Sequence, residues 1–400
     1  MTPRQRTGAH EARGAGRGAR KRGARGAATR RREVEGEREV EGERAVEGER
    51  AVEGERAVAE DREVDGGGEV FRGAWERAAR RVGRLREDHP FDFDPTYGCP
   101  PDALLTVDAP APPEDFDAFW RRRFARAREA RVAPRLGPEV ARDARHRTHR
   151  VEFGSVGGRR LGGWLTLPAS GPVTRGCVAT HGYGGRARPE PALAPPGAAT
   201  LWPVLRGLPD LSRFPDIPET SDAHVLHGIA ARDTYVHGDC AADVWCAATA
   251  LLELVPEAAA RLSYLGTSFG GGIGPLALPW DARFTAAALT VPSFGAHPLR
   301  LTLPCVGSGE AVRRLHRERP GVAKVLRYFD AATAASRLRI PTLVGAAFLD
   351  PAVPPPGQFA VFRALAGPRR LFALTAGHFD HRDAAAEEAA LVRAVHRFLP

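Results

Sequence analysis

A chain of 400 residues, 43% hydrophobic and 27% charged, is long enough to bury a sizeable core, and its formal charge of +9 is unevenly distributed. Residues 1–32 hold eleven Lys or Arg against the single acid Glu11, so residues 33–400 carry a net −1 and the basic balance belongs to one end. Five cysteines (Cys99, Cys177, Cys240, Cys246 and Cys305), odd in number and without a CxxC pair, argue against a disulfide framework and for a reducing, cytoplasmic setting.

The Gly/Ala/Arg-rich start would touch nucleic acid or anionic surfaces through charge alone. No aromatic side chain interleaves its arginines, so a solvated disordered end is expected, and no nucleic-acid binding is expected of the folded domain. No apolar segment follows the arginines, which argues against a signal peptide, and no apolar run approaches a membrane span. Residues 33–64 then repeat a hexapeptide, EVEGER passing into AVEGER, with valine at 34, 40, 46, 52, 58 and 64. At about 100° per residue, each six-residue step turns about 240° beyond a full circle, so the valines form no helical stripe. As a strand, the repeat would mix Val, Gly and Arg on one face. Residues 1–68 are therefore expected to be a disordered tail, dispensable or upstream of the true start.

Residues 69–150 are expected to form a helical extension packed on the core. Order should begin near Trp75 and be secure by Pro112, where PPEDFDAFWRRRFARARE sets Phe116, Phe119, Trp120 and Phe124 on one helix face. From Val151, short strands with glycine punctuation take over. The first is a hairpin-like pair around Gly157-Gly158. GCVATHGYGG reads as a strand entering a glycine loop, and DCAADVWCAATALLELVP as a helix with Val244, Ala247, Ala248 and Leu251 on one side. RLSYLGTSFGGGIG is a strand, a turn and a helix. ALTVPS, IPTLVGAAFLD and RRLFALTAGH read as further strands, and AAAEEAALVRAVHRFL as a closing helix. Strands alternating with helices over residues 151–400 predict an α/β fold with a mostly parallel sheet flanked by helices, in which ligands meet the carboxyl ends of the strands.

Gly266-Thr267-Ser268-Phe269-Gly270 fits the sharp strand-to-helix turn that displays a nucleophilic serine, with small residues two before and two after it. The helix N-terminus that follows favours negative charge near the hydroxyl. Such a serine reacts only when a base takes its proton and an acid orients the base. Asp350 ends one strand and leads into a proline-held loop, and His378 follows Gly377 just past the next. Ser268, Asp350 and His378 thus arrive in the chain order that this fold class uses. Asp380 and His381 are weaker rivals, expected in the last helix or its cap. Two backbone N–H groups suit an oxyanion: that of Phe269, and that of Tyr183 from the loop ATHGYGG. Among the thirteen histidines there is no HExxH, His224 and His227 have no clear third ligand, and GTSFGGG lacks the lysine of a phosphate loop. No metal or cofactor is expected.

Several motifs occur in one order: Asp115-Phe116-Asp117-x-Phe119-Trp120, His181-Gly182-Tyr183-x-Gly185, Arg206-Gly207, the GxSxGG turn, Val291-Pro292, Tyr328-Phe329-Asp330, Asp350-x-x-x-Pro354-Pro355 and Gly377-His378. With them the chain resembles the acetylxylan esterase and cephalosporin-C deacetylase family of carbohydrate esterases, within the α/β-hydrolase superfamily, over about residues 110–382. The resemblance implies Ser268, Asp350 and His378 as the triad and the Tyr183 and Phe269 N–H groups as the oxyanion hole. It also implies Arg206 and Pro292 beside the substrate pocket, removal of acetyl or other small acyl groups from sugars or related alcohols, and a ring-like homo-oligomer. Four positions depart from the family's usual residues: Leu208, Phe269 and Phe379 stand where Gln, Gln and Glu are usual, and Cys246 where Arg is usual. Those losses favour a more apolar acyl or alcohol group. A hydrolase of different specificity, such as a peptidase or thioesterase, and an inactive binding member are the alternatives.

Overall fold

The computed structural model describes residues 61–64, 68–86 and 88–400; the basic stretch and the repeat up to residue 60 lie outside the described residues. Its strands are β1 (Asp61–Val64), β2 (Gly68–Phe71), β3 (Arg135–Arg142), β4 (His146–Gly154), β5 (Arg160–Pro168), β6 (Arg175–Ala179) and β7 (Ala198–Pro203). They continue with β8 (Leu262–Thr267), β9 (Phe284–Thr290), β10 (Thr342–Leu349) and β11 (Arg369–Ala376). All eleven join one sheet in the order β1-β2-β11-β10-β9-β8-β6-β7-β5-β4-β3. From β2 to β7 every neighbouring pair is parallel, while β5, β4 and β3 add as an antiparallel meander at one edge.

Sequence character tracks this placement. β10, TLVGAAFL, is buried along its whole length, as a central strand covered on both faces should be. β3 lies at the edge, and Leu136 and Val140 on it are exposed. The longer helices are α1 (Arg72–Leu85), α2 (Phe116–Arg128), α3 (Val236–Leu254), α4 (Phe269–Ala277), α5 (Ser308–Glu318), α6 (Pro355–Ala364) and α7 (Ala384–Phe398). Among the described residues, none is long and apolar enough to cross a membrane.

The stripe expected on α2 is present: Phe116, Phe119 and Trp120 are buried, Phe124 packs on the core half-buried, and the Trp120 indole N–H donates to Tyr328 O at 2.9 Å. The turn at Gly157-Gly158 joins β4 and β5 as an antiparallel pair, also as expected. Three expectations need correction. α3 is buried on nearly every side rather than along one stripe, because α2 and α4 cover faces that no local pattern announces. The proposed boundary at residue 150 falls inside β4, since β3 and β4 extend the sheet that β5 begins. Disorder through residue 68 also fails at its end: β1 pairs with β2, and β2 adds to β11, where an edge strand offers unpaired backbone groups. All five thiols are free.

Candidate active site

Five parallel strands end side by side, and the candidate residues occupy the turns that follow them. β8 turns through Ser268 into α4, with Ser268 at φ 55° and ψ −111°, a backbone state that L-residues rarely hold. The turn is stitched into its surroundings. Ser268 N–H donates to Thr290 O at 2.8 Å, and the N–H groups of Gly272 and Ser293 donate to Ser268 O at 2.9 and 3.1 Å. Glycine is needed on both sides: a Cβ at Gly266 would stand 2.5 Å from Gly270 O, and one at Gly270 would strike Thr180 Oγ1.

Asp350 follows β10 and is wholly buried. Its Oδ1 accepts from the N–H groups of Ala352 and Val353, both at 2.9 Å, and its Oδ2 from Gln358 Nε2 at 2.9 Å. His378 follows β11 and Gly377, at φ 49°. Its Nδ1 lies 2.8 Å from Asp350 Oδ2, and its Nε2 lies 2.8 Å from Ser268 Oγ. Burial disfavours charge on His378, but the Asp350 charge and hydrogen bond outweigh it and raise the imidazole above its ordinary value. The chain therefore brings together three groups from turns 28 and 110 residues apart, linked acid to base to hydroxyl.

The loop after β6 faces the same serine. Gly270 N–H donates to His181 O at 3.0 Å, which ties that loop to the first turn of α4. His181 is buried and its pKa is lowered to about 4, so its neutral ring can accept from Leu205 N–H at 3.1 Å through Nε2. Among the described residues, the N–H groups of Tyr183 and Phe269 have no acceptor, which leaves both available beside Ser268. The Phe269 side chain turns away from solvent: it is wholly buried, with its ring centroid 4.3 Å from that of Tyr183 and 6.0 Å from that of Phe294. Leu208 is likewise wholly buried. Phe379 packs on Phe91, whose neighbours Phe93 and Tyr97 continue an aromatic row. That row adjoins the acid: Asp350 N–H donates to Pro95 O at 3.0 Å.

Pro292 belongs to the segment directly over the elbow, where its Cα would stand 3.0 Å from a Cβ on Gly271. Arg206 lies elsewhere, in a buried ionic cluster. Its Nε and Nη2 pair with Asp243 at 2.9 and 2.5 Å, and its Nη1 pairs with Asp239 at 2.8 Å. Arg206 is thus committed to packing and not to a pocket. The rivals Asp380 and His381 lie in the turn before α7, neither in the helix nor at its cap, which is Asp383. His381 faces Glu387 at 3.5 Å. Sequence reasoning missed Gln358, whose amide also donates to Val353 O at 2.7 Å and accepts from Ala347 N–H at 2.9 Å. A lone amide in the apolar stretch PPGQFAVF was its only signal. The described residues contain no cluster of His, Cys, Asp and Glu able to hold a metal ion.

A mostly parallel sheet with these turns at its carboxyl ends defines an α/β-hydrolase. The chain matches the family described as acetyl xylan esterase (AXE1) over residues 108–392, and it belongs to that family. It is a carboxylic ester hydrolase. The solved structures that resemble it include two acetyl xylan esterases. One is an acetyl xylan esterase from Paenibacillus sp. R4, with 22% identity and a TM-score of 0.65 over 75% of this chain and 100% of that one. The other is acetyl xylan esterase 1 from Thermoanaerobacterium sp. JW/SL YS485, with 19% identity and a TM-score of 0.66 over 74% of this chain and 99% of that one.

Proposed function

We propose that the protein is a serine esterase that removes acetyl or other small acyl groups from carbohydrate-like or related alcohol esters through an acyl-enzyme. The observation that carries this reading is the 2.8 Å approach of His378 Nε2 to Ser268 Oγ, with Asp350 on the opposite ring nitrogen. Ser268 Oγ attacks the ester carbonyl while His378 Nε2 takes its proton. The oxygen that becomes negative is received by the N–H groups of Tyr183 and Phe269. His378 then gives the proton to the departing alcohol oxygen, and the acyl group remains on Ser268. Water enters, loses a proton to the same nitrogen and releases the carboxylic acid. Asp350 keeps the Nδ1–H tautomer in place and offsets the charge on the imidazolium.

Family membership supports acetylated carbohydrate as the substrate class. The buried Leu208 and Phe269 favour an apolar surround for the ester. The family likeness is also the ground for expecting a homo-oligomer, and the five free thiols for a cytoplasmic setting. The test is turnover of 4-nitrophenyl acetate, 4-nitrophenyl octanoate and acetylated xylooligosaccharide by wild type and Ser268→Ala. Acetate turnover that vanishes in the variant is the expected result. Equal, background-level rates in both proteins would remove the esterase reading.

A further inference from the structure

The loop that brings Tyr183 to Ser268 has few side chains with which to hold its position. Tyr183 stands among Gly182, Gly184 and Gly185, and glycine leaves the backbone free to take many conformations. A Cβ on Gly182 would stand 3.7 Å from Ser268 Cβ, so the loop passes directly against the reactive serine. A Cβ on Gly184 would meet nothing within 4 Å. Two backbone bonds frame the loop, from Gly185 N–H to Gly182 O at 3.1 Å and from Gly270 N–H to His181 O at 3.0 Å. Between them, the anchor is the Tyr183 side chain.

That side chain runs inward to the first turn of α3. Its ring centroid lies 4.3 Å from that of Phe269 and 5.5 Å from that of His224. Its hydroxyl lies 2.8 Å from Nε2 of His237, which is wholly buried. Burial keeps the hydroxyl protonated and the imidazole neutral, so the bond joins two neutral groups. Among the described residues the hydroxyl has no other acceptor, and it therefore donates to the Nε2 lone pair. Tyr235 Oη stands further from the same nitrogen, at 3.4 Å. The other ring nitrogen, Nδ1, is enclosed without a partner. An apolar side chain would fill this place without orphaning a polar atom, so packing does not account for the imidazole, whereas its bond to Tyr183 does.

Ring packing is non-directional and lets a side chain slide, while a short hydrogen bond fixes the far end of the ring. Only two side-chain torsions separate that end from the Tyr183 backbone. We propose that His237 is a positioning residue for the oxyanion hole: its bond to the Tyr183 hydroxyl holds the Tyr183 N–H on the oxygen that becomes negative when Ser268 attacks. This inference rests on the esterase reading above. His237 acts on the reaction only through Tyr183, so its contribution belongs to the transition state and not to ester binding.

The test measures kcat and KM for 4-nitrophenyl acetate in wild type, Tyr183→Phe, His237→Leu, His237→Gln and the double variant Tyr183→Phe/His237→Leu, each shown to be folded by its melting transition. Tyr183→Phe removes one oxygen and keeps both the ring and the N–H. It should lower kcat by about 10-fold to 100-fold, less than the loss of a whole oxyanion donor, and leave KM nearly unchanged. His237→Leu should match it, and the double variant should be no slower than either single one. His237→Gln, whose amide oxygen accepts from the hydroxyl, should lose less than His237→Leu. Trifluoroacetone reads the hole itself: Ser268 Oγ bonds to its carbonyl carbon, the serine proton passes to His378, and the carbonyl oxygen becomes the bound oxyanion. Its inhibition constant should rise in Tyr183→Phe by the factor by which kcat falls. The inference is overturned if Tyr183→Phe keeps wild-type kcat, if the two single losses multiply in the double variant, or if melting midpoints fall while the inhibition constant stays in place. Tyr183→Phe alone decides if His237→Leu does not fold. If wild type is no faster than Ser268→Ala, the esterase reading fails separately, and hydrogen exchange decides whether His237 holds the loop. Faster exchange over residues 181–185 in Tyr183→Phe supports that role, and an unchanged rate removes it.

Discussion

Replacing Gln358 by methionine keeps the side chain's length and removes all three of its hydrogen bonds. One of these goes to the charged Asp350, at 2.9 Å, and its loss is worth about 1.5–3 kcal/mol. The other two bonds satisfy buried backbone groups, Val353 O and Ala347 N–H, and orphaning each adds roughly 1–3 kcal/mol. The Ala347 N–H matters because β9 stops pairing with β10 at Gly345, and the Gln358 amide oxygen takes up the next donor. A melting midpoint lower by about 10 °C is expected, at roughly 2 °C per kcal/mol. The chemical consequence is separate from stability. With one donor fewer, Asp350 is a stronger base and holds the proton on His378 more tightly, so the acid limb of the kcat/KM profile should move to higher pH. Looser placement of the imidazole should lower kcat by ~10-fold to 100-fold while KM changes less. The measurements are thermal denaturation and a pH–rate profile with a small acetate ester. If the midpoint falls but kcat and the acid limb stay at wild-type values, Gln358 is structural only and the positioning argument is wrong.

Asp350→Asn tests the electrostatics of the base. His378 must be neutral to accept the serine proton, and its pKa is raised above 6.5, with burial opposing charge and Asp350 outweighing it. Wild-type kcat/KM should therefore climb with pH through a midpoint above 6.5. In the asparagine variant only the burial remains, so the midpoint should drop below 6.5 while the plateau falls by roughly 10⁴-fold. The same raised pKa makes the His378–Asp350 pair contribute stability that is present in full below about pH 6.5 and is lost as pH rises through the folded value, which the variant should lack. Arg206→Met leaves the wholly buried Asp243 without its main partner, and a loss of about 3–5 kcal/mol is expected by denaturant titration. An unchanged midpoint would show that Arg206 does not hold that cluster together.

Local pattern carried a large part of this protein. The 3.6-residue spacing of Phe116, Phe119 and Trp120 is visible in any window of the chain, and burial of that face follows from it. The need for glycine at 266 is equally local, since a Cβ there meets Gly270 O of the same turn, whereas Gly270 is required by Thr180 of a distant loop. The order of Ser268, Asp350 and His378 could be read because each falls just past an apolar run, and parallel strands deliver their ends to one edge of the sheet.

Other features depend on contacts between distant segments, which no window contains. Arg206 looked like a pocket residue from its motif, and only the packing of α3 shows its guanidinium closed off by Asp239 and Asp243. β2 is four residues long and carries no strong signal of its own, and it forms because β11 presents an open edge. Gln358 and Arg300 are single polar side chains in apolar surroundings, alike in the sequence. Tertiary structure separates them: one meets a carboxylate and two backbone groups, while the Nε of the other is enclosed without a hydrogen-bond partner among the described residues. Periodicity and turn chemistry act through neighbours along the chain, and they determined the elements and their order. Pairing of buried charge acts through space, and it was decided only when the sheet and its covering segments closed together.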